Sequence, residues 1–282
     1  MSSFSNSFAH QELAKRLVGY AGNDSIARVR VASRGEQATF CAPLTQRLLA
    51  AVVQSSAQPS AIQLLSQVAK KGDPEAIAAL ASQIEHASEE VRKAAMQGLA
   101  RVGVGCEAGR AVAAAAVITR LEDTDWRIRQ AAIEALAKLV VKGDTGAVAA
   151  VRSRLQHSNY DIRRVAMEAL ALVAVGDEDA ILALTAQLEE SDCELRRVAV
   201  SALAQVACEG NTAAVAAVVA RLEDPDCDVR RAAVEAMPLL AKTGCAASLK
   251  SLVARLDDEN WVVRGAAVQA IARLAGKGNS FA

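Results

Sequence analysis

One pattern, returning at a nearly constant interval, restricts this chain more than any other feature of its sequence. The arginines that anchor it are Arg92, Arg129, Arg163, Arg196, Arg230 and Arg264, at spacings of 37, 34, 33, 34 and 34. Three residues after each comes an alanine: Ala95, Ala132, Ala166, Ala199, Ala233 and Ala267. A period of this length marks supersecondary units that bury their apolar faces only by stacking on neighbours. Within one copy, Ile128, Ala132, Ala135, Leu136 and Leu139 fall on one stripe of a helix. The expected fold is all-α, an α-solenoid of stacked antiparallel helix pairs.

The punctuation supports two helices per unit, a short alanine-rich helix A and a longer helix B running from about Trp126 to Val141 in the third unit. Glycines near the unit ends (Gly105, Gly143, Gly176, Gly210, Gly244 and Gly278) can take the left-handed conformation that closes a helix. Asp73, Asp144, Asp177 and Asn211 then stand where helix A needs an N-cap. Asp125, Asn159, Asp192, Asp226 and Asn260 stand where helix B needs one, each cap contributing about 1 kcal/mol. The recurring alanine lets neighbouring helices approach, and a larger side chain there would overpack the joint by about 1–3 kcal/mol. Pro238 lacks the N–H that would bond Val234, so a kink is expected in the sixth unit.

The expected organisation is a non-repeat N-terminal arm over residues 1–40, a repeat array over 41–278 and a tail over 279–282. The units are 41–72, 73–105, 106–143, 144–176, 177–210, 211–244 and 245–278. The first is degenerate. Gln58 replaces its anchoring arginine, while Ala61, Ile62, Leu65 and Val68 keep the apolar spacing, on helices expected over 43–53 and 59–71. The arm carries an amphipathic segment over 8–20 and an alternating one over 26–31. It reads as a cap on the first repeat or as an organelle-targeting peptide, and Glu12 and Asp24 favour the cap.

A helix ending in Leu, an acid six residues before an Arg, and the string Val-Arg-x-Ala-Ala-x-x-Ala-Leu resemble HEAT repeats, in the short variety shared with phycobilisome-lyase-like proteins. The resemblance covers 73–278 well and 41–72 weakly. It implies a right-handed superhelix of about seven repeats with the B helices on the concave side. It also implies a ladder between units built from Asp123 with Arg129, Glu190 with Arg196, Asp224 with Arg230, and Asp258 with Arg264, Arg163 belonging to the same column. His86 and His157 replace the acid in two units. Enzymes of the wider superfamily carry His-Glu dipeptides as iron ligands, and this chain has none.

The remaining chemistry is sparse. The 32 basic and 32 acidic residues cancel, against the strongly basic balance of a dedicated duplex-DNA binder. His10, His86 and His157 each stand alone. The six cysteines form no CxxC and no zinc spacing, which suits reduced thiols in an intracellular, cytoplasmic setting. No apolar run reaches the length of a membrane span. No catalytic, cofactor or metal site is expected.

Two surfaces are left as candidates. The first is the groove, one residue after each anchor: Lys93, Gln130, Arg164, Arg197, Arg231 and Gly265. That mostly basic column could take an acidic peptide, or could be a solvated face of intrahelical ion pairs. The second is the turn edge, three residues before each anchor, where Trp126, Tyr160 and Trp261 stand with Glu89, Cys193 and Cys227. Rings there could cover the core ends or anchor a partner. At the C-terminal repeat, the outer side of Val263, Ala267, Ile271 and Leu274 is expected to pack on a partner or a second copy. The expected function is a non-enzymatic protein-binding scaffold or assembly subunit. The alternatives are a phycobilisome-lyase-like role with a chromophore or its acceptor protein, testing Cys193 or Cys227, and weak nucleic-acid binding by the basic column.

Overall fold

Fourteen α-helices and no strand make up the described part of the chain, residues 37–53, 58–141 and 144–276 of a computed structural model. The segments expected over 8–20 and 26–31, together with Gly143, Gly278 and the tail, lie outside the described residues. The chain divides into two compact units, Met1–Val102 and Gly103–Ala282.

The first unit holds α1 (Gln37–Val53), α2 (Pro59–Val68), α3 (Pro74–Ser82) and α4 (Glu89–Val102). Helix α1 begins before the expected Pro43, and α2 ends at Val68 instead of Lys71, where the chain turns extended at Ala69. Helix α1 packs on α2 and α3, and α2 on α4. Asp73 caps α3 through its side chain, which accepts from the N–H groups of Glu75 and Ala76. Pro74 occupies the first turn, where no intrahelical N–H partner is lost.

The second unit holds five helix pairs: α5 (Glu107–Thr119) with α6 (Trp126–Leu139), α7 (Thr145–Arg152) with α8 (Tyr160–Val173), α9 (Glu178–Gln187) with α10 (Cys193–Val206), α11 (Thr212–Arg221) with α12 (Cys227–Leu240), and α13 (Ala246–Val253) with α14 (Trp261–Ala275). The second helix of each pair lies on the next second helix, α6 on α8, α8 on α10, α10 on α12 and α12 on α14. The expected caps Asp125, Asn159, Asp192, Asp226 and Asn260 all accept backbone N–H groups of the helix they open. Short 3-10 turns close several first helices. In the fourth repeat, for example, α7 is followed by a 3-10 turn at Ser153–Gln156.

The recurring alanines explain the stacking. Ala95, Ala132, Ala166, Ala199, Ala233 and Ala267 are all fully buried. Beside them Leu99, Leu136, Leu170 and Leu203 are likewise fully buried, each worth about 1.5–3 kcal/mol of apolar burial. Helix α12 runs past Pro238 to Leu240, the same fourteen-residue length as α6, α8 and α10. The proline therefore sits in a last turn, close to where the helix would end anyway.

The glycines do more than end a unit. Gly176 and Gly210 take φ of 79° and 82°, and their N–H groups donate to Val206 and Leu240 at 2.7 and 2.6 Å. Those carbonyls belong to the last residues of the next repeat's second helix, where no intrahelical donor is left to reach them. Each glycine thus stitches its repeat to the following one. Gly105 differs. It lies in a 3-10 turn, with φ outside the left-handed region. The left-handed residue near the end of α14 is Gly276, just before the expected Gly278.

Candidate functional site

The anchoring arginines form a ladder, but their carboxylate partners are not the ones the family resemblance implies. Arg196 sends Nε and Nη2 to the two carboxylate oxygens of Asp224 at 2.9 and 2.8 Å. Arg230 does the same with Asp258 at 2.9 and 3.0 Å. Each acid belongs to the repeat that follows its arginine. Toward its own repeat the guanidinium donates Nη1 to the carbonyl oxygen of the residue six earlier: Arg129 to Asp123, Arg196 to Glu190, Arg230 to Asp224 and Arg264 to Asp258. The pairs Asp123 with Arg129, Glu190 with Arg196, Asp224 with Arg230 and Asp258 with Arg264 therefore meet through a backbone oxygen. The reason is geometric: the buried aspartate side chain accepts the N–H two residues on, as Asp224 does from Asp226 and Asp258 from Asn260, and so faces the preceding repeat.

The electrostatics follow. Burial pushes the Asp224 and Asp258 carboxyls up. The hydrogen bonds from Arg196 and Arg230 and from the N–H groups of Asp226 and Asn260 outweigh it, and both carboxyls lie below the usual range. Where the acid is missing the rung is weaker. His157 stands where the acid facing Arg129 would be, and its Nδ1 accepts the Asn159 N–H at 3.0 Å, as an aspartate would. Arg129 turns instead to the half-exposed Asp161 at 3.1 Å, leaving its Nε buried without a hydrogen bond. Arg163 reaches Glu190 at 3.5 Å. His86 likewise uses Nδ1 to accept the Ser88 N–H.

A second ladder runs the opposite way. Arg221 and Arg255, near the ends of their first helices, donate Nη1 back to the carbonyls of Leu188 and Leu222 at 2.9 Å. Arg154 pairs back with Glu122 at 2.9 Å. The sequence carried the signal, an Arg-Leu dipeptide at a fixed offset before the anchor, at Arg120, Arg154, Arg221 and Arg255. Gln187 and Gln83 interrupt that column, and both are buried.

The groove column is charge-compensated. Arg164 pairs with Glu168, Arg197 with Glu194 at 2.7 Å through Nε, and Arg231 with Asp228 and Glu235 at 3.3 and 3.7 Å. Each carboxylate sits on the same helix, three residues before or four after the arginine. The hydrogen bond from Arg197 holds the Glu194 carboxyl below its ordinary value. Lys93, on α4 of the first unit, is half-buried.

The turn edge is built by the same caps. Trp126, Tyr160, Cys193, Cys227 and Trp261 are each the first residue of a second helix, directly after the capping side chain. Trp126 is 63% exposed and Trp261 74%. Those two rings do not fold over the core. The Arg127 guanidinium lies 5.6 Å from the centroid of the Trp126 ring. Tyr160 is half-buried, and burial together with the Asp192 and Glu194 carboxylates raises its phenol. Among the described residues Cys193, Cys208, Cys227 and Cys245 are free thiols. In the last repeat Val263, Ala267 and Leu274 are buried and Ile271 is half-buried, so that side of α14 faces inward, and the large apolar residues turned to solvent there are Val253, Trp261, Val262 and Val268.

Among the described residues no group of three or more His, Cys, Asp or Glu side chains could hold a metal ion. None of the described helices is long and apolar enough to cross a membrane. Stacked helix pairs tied by arginine ladders define a helical-repeat protein of the α-solenoid class. The HEAT repeat model matches residues 45–137, 114–204 and 181–272, and the chain belongs to the HEAT-repeat family. Repeats of this family generally mediate protein–protein interactions, typically as non-enzymatic scaffolds. Two crystal structures of engineered proteins are similar to the chain. One is 22% identical with a TM-score of 0.47, covering 82% of this chain and 68% of that one. The other is 20% identical with a TM-score of 0.38, covering 90% and 97%. No curated protein matches the sequence.

Proposed function

We propose that the chain is a non-enzymatic scaffold or assembly subunit that takes a protein partner on its turn edge, with Trp126 as the central anchor and Tyr160, at the start of α8, as the second. The observation that carries this reading is the exposure of the Trp126 ring at the start of α6. A large ring held by a capped helix end loses little conformational entropy on binding, and Trp and Tyr dominate binding hot spots. The groove offers less, because Arg164, Arg197 and Arg231 already hold carboxylates of their own helices. An acidic ligand would have to displace them.

The experiment compares affinity capture from native extract by the wild-type chain, Trp126→Ala, Tyr160→Ala and the triple Arg164→Glu/Arg197→Glu/Arg231→Glu. Partners lost with Trp126→Ala and kept by the groove triple are the expected result. Partners lost with the triple and kept by Trp126→Ala overturn the assignment to the turn edge.

A further inference from the structure

We infer that the joint between the third and fourth repeats is a carboxylate-binding site, in which Arg129 and Arg154 take an outside carboxylate where His157 now stands. Three positions contribute to every joint: the anchoring residue of one repeat and, in the next, the acid position and the residue three before it. Asp224 lies between Arg196, at 2.8 Å, and Arg221, at 3.9 Å. Asp258 lies between Arg230 and Arg255, at 2.9 and 3.6 Å. One buried carboxylate thus answers two guanidiniums.

The sequence keeps these charges in step at the other joints. Arg92 and Arg120 go with Asp123, and Arg163, with Gln187 in the second place, goes with Glu190. Where His86 takes the acid position, Gln58 and Gln83 take both arginine positions. Only between the third and fourth repeats do two arginines stand with a histidine.

The Arg129 guanidinium is nevertheless set for a carboxylate. Its Nη1 is fixed on the carbonyl oxygens of Asp123 and Thr124, as that of Arg196 is on those of Glu190 and Ser191. That orientation turns Nε toward the acid position, where Arg196 and Arg230 find Asp224 and Asp258. Arg129 is more than nine-tenths buried and its Nε has no hydrogen bond. The imidazole at the acid position cannot supply one. Its Nδ1 already accepts the Asn159 N–H, so the ring proton is on Nε2 and no lone pair remains. Arg154 has turned away as well. Arg221 and Arg255 reach back to the Leu188 and Leu222 carbonyls, whereas Arg154 folds Nη1 onto the carbonyl of Ala150 in its own helix. Repulsion between two guanidiniums with no carboxylate between them accounts for that turn. The carboxylates left to the pair, Asp161 and Glu122, are half-exposed and screened by water.

Access is from the turn edge. His157 is half-buried between exposed Gln156 and Ser158, and a change of its side-chain rotamer clears the position. A carboxylate entering there accepts from the Asn159 N–H and the Arg129 Nε–H, as Asp224 accepts from Asp226 and Arg196. Its charge draws Arg154 in.

The test follows the Asn159 amide of the full chain by NMR while sodium acetate replaces chloride at constant ionic strength and neutral pH. A saturable shift with a midpoint on the order of 10 mM is expected. The Ser88 amide, which donates to His86 in the same way, is expected to show none. His157→Ala clears the position and is expected to bind acetate at least about fivefold more tightly. His157→Asp fills it and is expected to abolish the response with unchanged circular dichroism. At about 100 mM acetate the thermal midpoint of the wild type is expected to rise by about 2 °C more than that of His157→Asp. The capped peptide acetyl-Gly-Glu-Gly-amide separates the sources of the carboxylate. Tighter binding than acetate assigns the site to an acidic side chain of a protein partner, and equal or weaker binding to a free carboxylic acid. An Asn159 amide with no saturable shift, or with the same shift in His157→Asp, overturns the inference. No protein partner takes part in the titration, so its outcome is independent of the turn-edge reading.

Discussion

Arg196 and Asp224, in successive repeats, are joined by two parallel hydrogen bonds of 2.9 and 2.8 Å with both side chains buried. Arg230 and Asp258 repeat that geometry one unit later. Asp224→Asn leaves the Arg196 guanidinium buried without its counter-charge. Breaking a buried pair from one side costs about 3–5 kcal/mol. Urea denaturation at neutral pH is expected to show a loss of that order, and Asp224→Ala a larger one, since it also removes the cap on the Asp226 N–H.

The same carboxyls set an acid limit. Their folded values lie below the ordinary one, so their contribution is fully present above the unfolded value of about 3.9. It is lost as pH falls through the folded value. The urea midpoint is expected to stay flat from neutral pH to about 5 and to fall below about 4. Part of that fall should vanish in Asp224→Asn, measured as a smaller pH slope than the wild type.

His157 marks a rung that can be repaired. His157→Asp keeps an acceptor for the Asn159 N–H and offers a carboxylate to the Arg129 Nε, which is buried without a hydrogen bond. A stabilisation of about 1 kcal/mol is expected. Thermal melts should show a raised midpoint, absent when Arg129 is also replaced by Met.

Gly210 couples backbone conformation to stacking. Its φ of 82° disfavours any side chain, and a Cβ would come within 2.7 Å of the Lys242 side chain. Gly210→Ala is expected to lower stability by more than about 1 kcal/mol. Gly146→Ala, in α7 with a negative φ and no neighbour nearer than its own N-cap carboxylate at 3.7 Å, should be neutral or stabilising by about 0.5 kcal/mol. Differential scanning calorimetry of the two variants separates them.

The groove arginines give a salt-dependent prediction. Paired with Glu168, Glu194 and Asp228, they should leave the wild type without measurable affinity for a labelled single strand at low salt. Glu168→Gln/Glu194→Gln/Asp228→Asn/Glu235→Gln frees three cations, since Arg231 also holds Glu235, and weak binding with a log–log salt slope of about −2 is expected. Fluorescence anisotropy across a salt series checks both arms.

The repeat was legible in the sequence because its causes are local and periodic. A buried alanine in every full repeat, a polar cap before each second helix of the second unit and a glycine near each repeat's end leave marks at nearly fixed offsets. Asp125, Asn159, Asp192, Asp226 and Asn260 could be assigned as caps because a cap acts on N–H groups two or three residues away. Helix ends were less legible: whether α7 ends at Arg152 or continues as a regular helix depends on how its last turn tightens.

Which repeat each side chain serves depends on the packing between repeats. The offset of six residues between Asp224 and Arg230 is real, yet it records a backbone contact, while the ionic partner of Arg230 is Asp258. Sequence spacing cannot separate those alternatives, because in a strict repeat the acid just before one arginine is also, at an equally fixed offset, the acid that follows the previous one. The exposure of Trp126 and the inward direction of Val263, Ala267 and Leu274 are of the same kind. Periodicity fixes that a residue lies on a helix face, but the packed neighbour decides whether that face is covered.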